Sequence, residues 1–156
     1  MTYNRDAAVA YAKKWALSRN PAFYDFSNVG GDCTNFASQC IYAGANVMNY
    51  TRDVGWYYRS ATDRAAAWTG VEYMYRFLTK NSGRGPYATE MQLEYAQPGD
   101  IIQLSFDYTL FSHTIVVIET YPQILIAAHS EDSLYRPLDT YPYTRVRLLH
   151  IEGARE

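Results

Sequence analysis

The sequence predicts an α+β domain, with helices in the first half of the chain and an antiparallel sheet in the second. Three observations carry this. In three stretches before residue 82 the apolar residues recur at steps of three and four, the spacing of one helix face. From Pro98 onward they gather in short Ile/Val/Leu-rich runs bounded by turn residues, the pattern of strands. A chain of 156 residues, 48% of them hydrophobic, is enough for one core, and no repeat or linker divides it, so residues 1–156 read as one domain.

The first helix takes Asn4 as N-cap and Asp6 in its first turn, carries Tyr3, Ala7, Tyr11 and Trp15 at steps of four, and stops at Asn20-Pro21. Residues 23–31 have no period and contain Asn28, Gly30 and Gly31, which makes them a loop. Asp32 then caps a second helix from Cys33 to about residue 43, stopped by Gly44, with Cys33, Phe36, Ala37, Cys40 and Ile41 on one face. Residues 45–68 are irregular and aromatic. Thr69-Gly70-Val71-Glu72 has the form of a capping box and opens a third helix with Val71, Met74, Tyr75 and Leu78 on one stripe. Residues 81–83 end it, and residues 83–86 read as a turn without the Gly-Lys-Ser/Thr ending of a phosphate-binding loop. Strands are expected over residues 99–106, 113–120, 124–129 and 145–151.

Composition excludes several classes of function. Fourteen Lys and Arg face sixteen Asp and Glu with no basic run, which argues against a nucleic-acid partner. No apolar stretch approaches the roughly 18 to 20 residues of a membrane span, and the first thirty residues lack a signal-peptide pattern, so a soluble chain is expected. Cys33 and Cys40 on one helix would stand about 10 Å apart, beyond the roughly 7 Å that a disulfide bridges. Neither belongs to a Cys-x-x-Cys pair, and His113, His129 and His150 lack the spacing of a zinc site, so no metal or other cofactor is expected. Sixteen tyrosines bring the aromatic content to 16%, an excess that composition does not explain.

The chemistry concentrates at Cys33, in Gly-Gly-Asp-Cys-Thr-Asn-Phe. A thiol at a helix N-terminus meets unpaired N–H groups and the positive end of the macrodipole, both of which favour the nucleophilic thiolate. Asp32 opposes a second anion unless its oxygen is occupied by capping the Asn35 N–H. Elsewhere a free Cys is most often a small core residue. His113 opens a strand after a turn and can reach a cleft, which with Cys33 is the arrangement of a Cys-His hydrolase. A third group should fix the imidazole tautomer. An odd loop of residues 121–123 places His129 opposite Ile115, on the face of His113; an even loop places Ser130 opposite His113 and turns His129 away. His129 is the first choice, Ser130 the fallback and Asp132 a distant third. Residues 55–59, with Trp56 and Tyr57, and Trp68 beyond them, are candidates for a substrate wall, although bulky aromatics also fill gaps in a core.

The segments Asp32-Cys33-Thr34-Asn35-Phe36-Ala37-Ser38-Gln39, Pro98-Gly99-Asp100-Ile101-Ile102, Ser112-His113-Thr114, Ala128-His129-Ser130 and the tail from Tyr135-Arg136-Pro137-Leu138 to Leu149-His150-Ile151-Glu152-Gly153 resemble the bacterial putative amidase domain family. That family is similar to a branch of the papain-like group that includes the NlpC/P60 and CHAP peptidoglycan hydrolases. The resemblance implies a papain-like, NlpC/P60-like fold, its nucleophile helix packed on an antiparallel sheet. It implies Cys33 as nucleophile, His113 as general base and acid, and His129 as the orienting residue. The Cys33 N–H would serve the oxyanion hole, with Asn28 as a candidate second donor from the preceding loop and Asp32 beside it. The implied substrate is a peptide or glycopeptide from the bacterial cell wall, cleaved through an acyl-thioester, and the implied location is the cell envelope or exterior. A non-catalytic wall-binding module of the same fold and a thioester acyltransferase are the alternatives. The oligomeric state is not legible.

Overall fold

A computed structural model of the chain describes residues 2–156. Asn4 caps α1, Arg5–Trp15, its Oδ1 accepting the Ala7 N–H at 3.0 Å. The fully buried stripe of α1 is Ala8 and Ala12, continued by Ala16, and the larger Tyr3, Tyr11 and Trp15 flank it half-buried. Small residues there let α1 lie close to α2, Cys33–Ala45. The approach is tightest at Gly44, where a Cβ would stand 2.6 Å from the Tyr3 ring and 2.7 Å from the Asn4 carbonyl. Gly44 is therefore a packing residue, not the stop that its position predicts. The helix runs through it and ends at Asn46, whose left-handed φ of 57° turns the chain.

A short hairpin follows, β1 Tyr58–Ser60 and β2 Asp63–Arg64, then α3 Ala66–Thr69 and α4 Val71–Lys80. The expected capping box does not form. Thr69 belongs to the end of α3, Gly70 caps α4 without a side chain, and Glu72 turns instead to the Arg147 guanidinium at 3.0 Å. The buried stripe of α4 is Met74, Phe77 and Leu78.

Six antiparallel strands form one sheet: β3 Gly85–Met91, β4 Ile101–Ser105, β5 His113–Glu119, β6 Leu125–Ala128, β7 Ser133–Pro137 and β8 Arg145–Arg155. Their order is β3-β8-β4-β5-β6-β7. Alternate residues divide the core between the two faces of the sheet. Ile101, Val116, Ile118, Ala127, Leu149 and Ile151 meet the helices, and Ile102, Leu104, Ile115, Val117, Ile126 and Leu148 are covered by Leu138 and Tyr141.

The Pro98-Gly99-Asp100 turn fastens distant parts of the chain. The buried Asp100 carboxylate accepts bonds from Arg5 (2.8 Å), the Ile151 N–H (3.0 Å), His150 (2.8 Å) and the Gln97 N–H (2.9 Å). It thereby ties the first turn of α1 to the entry of β4 and to β8.

Trp56 and Trp68, candidates for a substrate wall, are 0% exposed and cannot serve as one in this structure. Each is fixed in the helical side of the core by its indole N–H, Trp56 to Ser38 Oγ (3.0 Å) and Trp68 to Asn35 Oδ1 (2.9 Å). Their rings lie 4.7 Å apart between centroids, filling the space between α2, α3 and α4.

Candidate active site

Cys33 is the first residue of α2 and is half-buried. The first N–H groups of the helix have no intrahelical acceptor, so they remain available around the thiol. Two contacts fix this helix end. Thr34 Oγ1 meets Thr114 Oγ1 at 2.9 Å, and Asn35 Nδ2 donates to the Tyr24 carbonyl at 2.9 Å. Gly30 and Gly31, at φ of 84° and 100°, turn the loop into the helix where a side chain would be strained. Cys40, two turns further along, is fully buried, and burial pushes its thiol well up.

Asp32 does not cap the helix with its side chain, contrary to expectation. Its buried carboxylate accepts the Phe26 N–H (2.8 Å), Asn35 Nδ2 (2.8 Å) and His129 Nδ1 (2.6 Å), and Arg19 Nε lies 3.6 Å away. These partners engage the charge that would otherwise oppose a Cys33 thiolate. Arg19 extends the cluster outward, with Asp25 at 3.2 Å and Asp132 gripped by both terminal nitrogens at 2.8 and 3.0 Å. Asp132 is thus a partner of Arg19, not of an imidazole.

His129 is 1% exposed and turned away from His113. Its Nδ1 meets Asp32, its Nε2 lies 2.9 Å from the Trp15 carbonyl and 3.1 Å from Arg19 Nη1, and Phe36 stacks on its ring at 4.1 Å. The physical reason is a bulge. Beside the turn Glu119 pairs with Leu125, as an odd loop requires, but beyond the irregularity Val117 pairs with Ile126 and Val116 with Ala127. Carried forward, that register sets the exposed Ser130 opposite His113 and sends His129 to the helical face.

His113 opens β5, next to the Thr114 that holds α2. Its imidazole lies on the other face, 5.5 Å from the Tyr141 ring and 6.4 Å from Phe106 between centroids. Burial, aided by the charge of Arg136, pushes its pKa down to about 4, so the ring is neutral at pH 7. Among the described residues Cys33 Sγ contacts Thr34 Oγ1 at 3.7 Å, and no hydrogen bond joins it to His113.

Asn28 is exposed on the 23–31 loop, and its side chain makes no hydrogen bond that aims it at Cys33. Tyr57 is half-buried against Tyr50 (5.3 Å) and Arg59 (5.1 Å). A groove of about 560 Å³ lies between residues 49–55 and α4, lined by Tyr73, Arg76, Phe77 and Lys80 among others, and includes neither Cys33 nor His113. Sequence reasoning missed Arg19, Tyr141 and Arg136. Arg19 offers a weak signal, a lone cation beside a helix stop; Arg136 stands in a segment that carries the family resemblance but with no role attached to it, and Tyr141 offers none, since only the fold brings both to His113.

The family profile described as Putative amidase domain matches residues 2–151. Over 120 residues the chain is 37% identical to "Uncharacterized protein YhbB" of Bacillus subtilis (strain 168), covering 74% of this chain and 37% of that protein. The chain therefore spans little more than a third of this relative's length. No solved structure matches the chain. Family membership points to amide hydrolysis in general, and with nearly the whole length matched, the chain belongs to the putative amidase domain family.

Proposed function

We propose that the protein is a cysteine-dependent amide hydrolase with a papain-like, NlpC/P60-like centre, acting on amide bonds of bacterial cell-wall peptide or muramyl-peptide material. The observation that carries this reading is the contact between Thr34 and Thr114, which fastens the Cys33 end of α2 to the strand start that bears His113. In the reaction His113 takes the Sγ proton and Sγ attacks the amide carbon. The oxyanion is met by N–H groups of the first turn of α2. Collapse breaks the C–N bond, the amine leaves with the proton from His113, and an acyl-thioester remains. Water then gives a proton to His113 and its oxygen to the acyl carbon, releasing a carboxylic acid and the restored thiol. In the unliganded protein the imidazole rests beside Tyr141 on the face away from α2, so this step requires His113 to turn about the start of β5 toward Sγ as substrate binds.

A neutral imidazole suits this role, because only the unprotonated ring can accept the thiol proton. Cys33→Ala and His113→Ala should each lose at least about a hundredfold in kcat/KM on peptidoglycan fragments, while circular dichroism remains that of the wild type. Iodoacetamide should modify Cys33 long before Cys40, whose thiol is buried and weakly acidic. Full hydrolysis by folded Cys33→Ala would sink the reading. Added amine separates hydrolysis from acyl transfer by the appearance of a new amide product.

A further inference from the structure

Four buried polar side chains form a line from β8 to the first turn of α2. Arg147 donates from Nε (2.9 Å) and Nη2 (2.7 Å) to Gln103 Oε1. Gln103 Nε2 donates to the Val71 carbonyl (2.9 Å) and to Thr114 Oγ1 (3.3 Å). Thr114 Oγ1 meets Thr34 Oγ1 at 2.9 Å, and Thr34 Oγ1 lies 3.7 Å from Cys33 Sγ. The origin of the line is held firmly, because the Arg147 guanidinium packs on the rings of Tyr75 and Phe111 at 3.6 and 4.0 Å and pairs with Glu72 at 3.0 Å. Thr34, Thr114 and Gln103 are closed off from solvent, so their hydrogens must find acceptors within the protein.

Donor and acceptor chemistry gives the direction of every hydrogen on this line. A guanidinium only donates and a carbonyl only accepts, so the Gln103 amide has one orientation, its oxygen toward Arg147 and its nitrogen toward Val71 and Thr114. Thr114 Oγ1 therefore receives a hydrogen from Gln103, and its own has one acceptor left among the described residues, Thr34 Oγ1. Thr34 receives that hydrogen in turn, which leaves Cys33 Sγ as the partner for its own. Reversing any step would strand a buried donor. We propose that the Thr34 hydroxyl donates to Cys33 Sγ and favours the thiolate, with Gln103 and Arg147 as positioning residues that aim it through Thr114. An anionic sulfur accepts such a bond more strongly than a neutral one, so the contact favours loss of the thiol proton. The inference rests on Cys33 as the nucleophile of the reading above, but its test needs no substrate.

The test is the pH profile of iodoacetamide alkylation at Cys33, read by mass spectrometry of its peptide, in variants whose circular dichroism matches the wild type. All of them leave Asp32, His129 and Arg19 intact. Thr34→Val removes the donor at nearly constant shape, and its midpoint should rise by about one unit, the lower end of what a hydrogen bond to a charged group supplies. Thr34→Ser should restore the wild-type profile. Thr114→Val breaks the tie to β5 but leaves the Thr34 hydrogen only Sγ to meet, so its midpoint should stay with the wild type. No rise in Thr34→Val overturns the proposal, and so does a comparable rise in Thr114→Val, since the tie and not the donated hydrogen would then set the reactivity. Gln103→Glu presents an acceptor to Thr114 and turns the line round, taking the Thr34 hydrogen away from Sγ. Its midpoint should rise as well, and less than half of that rise should remain when Thr34→Val is already present. An undiminished rise is the new charge acting at a distance and overturns the part given to Gln103 and Arg147. If Gln103→Glu does not fold, the three threonine variants decide the matter alone. Should Cys33→Ala keep full activity while these midpoints move as expected, the hydrolase reading fails and the role of Thr34 stands.

Discussion

Asp32 is the residue on which the orientation of the Cys33 turn depends. One oxygen collects the Phe26 N–H and the Asn35 amide and the other meets His129, so a single carboxylate joins the 23–31 loop, the first turn of α2 and the end of β6. Removing one member of such a buried charged set leaves its partners uncompensated. Asp32→Ala should therefore lower unfolding stability by about 3–5 kcal/mol, measured as a drop in urea midpoint, far more than an exposed carboxylate would. A loss under about 1 kcal/mol would mean that the network does not hold the helix end. This residue also marks the limit of what sequence shows. Cys33 and Asn4 are legible as first-turn and cap residues because that chemistry is local, whereas Asp32 holds the cap position but spends its carboxylate on His129, 97 residues away. The placement of His129 is not legible, since it turns on the one-residue irregularity between Val117 and Glu119. Nor could a run of aromatics declare that Trp56 and Trp68 would point inward.

Between elements, the α1–α2 contact sets two effects of known sign against each other. Alanine is favoured over glycine inside a helix by about 1 kcal/mol, so propensity alone would have Gly44→Ala stabilise the protein. Overpacking costs about 1–3 kcal/mol or more, and here the added Cβ meets a backbone oxygen as well as the Tyr3 ring. Neither neighbour yields easily, because the Tyr3 hydroxyl is bonded to the Gly99 carbonyl at 2.7 Å and the Asn4 N–H to the Gly44 carbonyl at 2.9 Å. Packing should win, and Gly44→Ala should lower the urea midpoint; a neutral or stabilised variant would show that the helices separate freely. Elements differ in legibility for a related reason. β4 and β5 are buried on both faces and read as short Ile/Val/Leu-rich runs. The edge strands β3 and β7 carry Pro86 and Pro137, tolerated where one side of the strand needs no partner, and in the sequence the first of them falls in the stretch 83–86 that reads as a turn.

Across the whole molecule, the two faces of the sheet respond differently to acid. The helical face contains paired charges, whereas the opposite face buries His113 beneath Tyr141 and Arg136. Its pKa of about 4 in the folded protein lies below the unfolded value near 6.5. Between those two values the unfolded chain binds a proton that the folded chain refuses, so protons favour unfolding throughout that window. Stability should be flat with respect to this group above pH 6.5, fall as the pH drops from 6.5 toward 4, and stop responding to it below 4. The low carboxylates act in a separate range. The Leu110 and Thr109 N–H groups hold Asp107 down to about 2, and Ser27 lowers Asp25, so their contributions are lost only below the ordinary carboxylate value of about 3.9. Urea midpoints of wild type and His113→Asn between pH 3 and 8 separate the two. The variant should lack the part of the slope between pH 4 and 6.5 and keep the fall below 4. Parallel profiles across that upper window would mean that His113 takes its proton in the folded state as readily as in the unfolded chain, and that its side of the sheet is open to water.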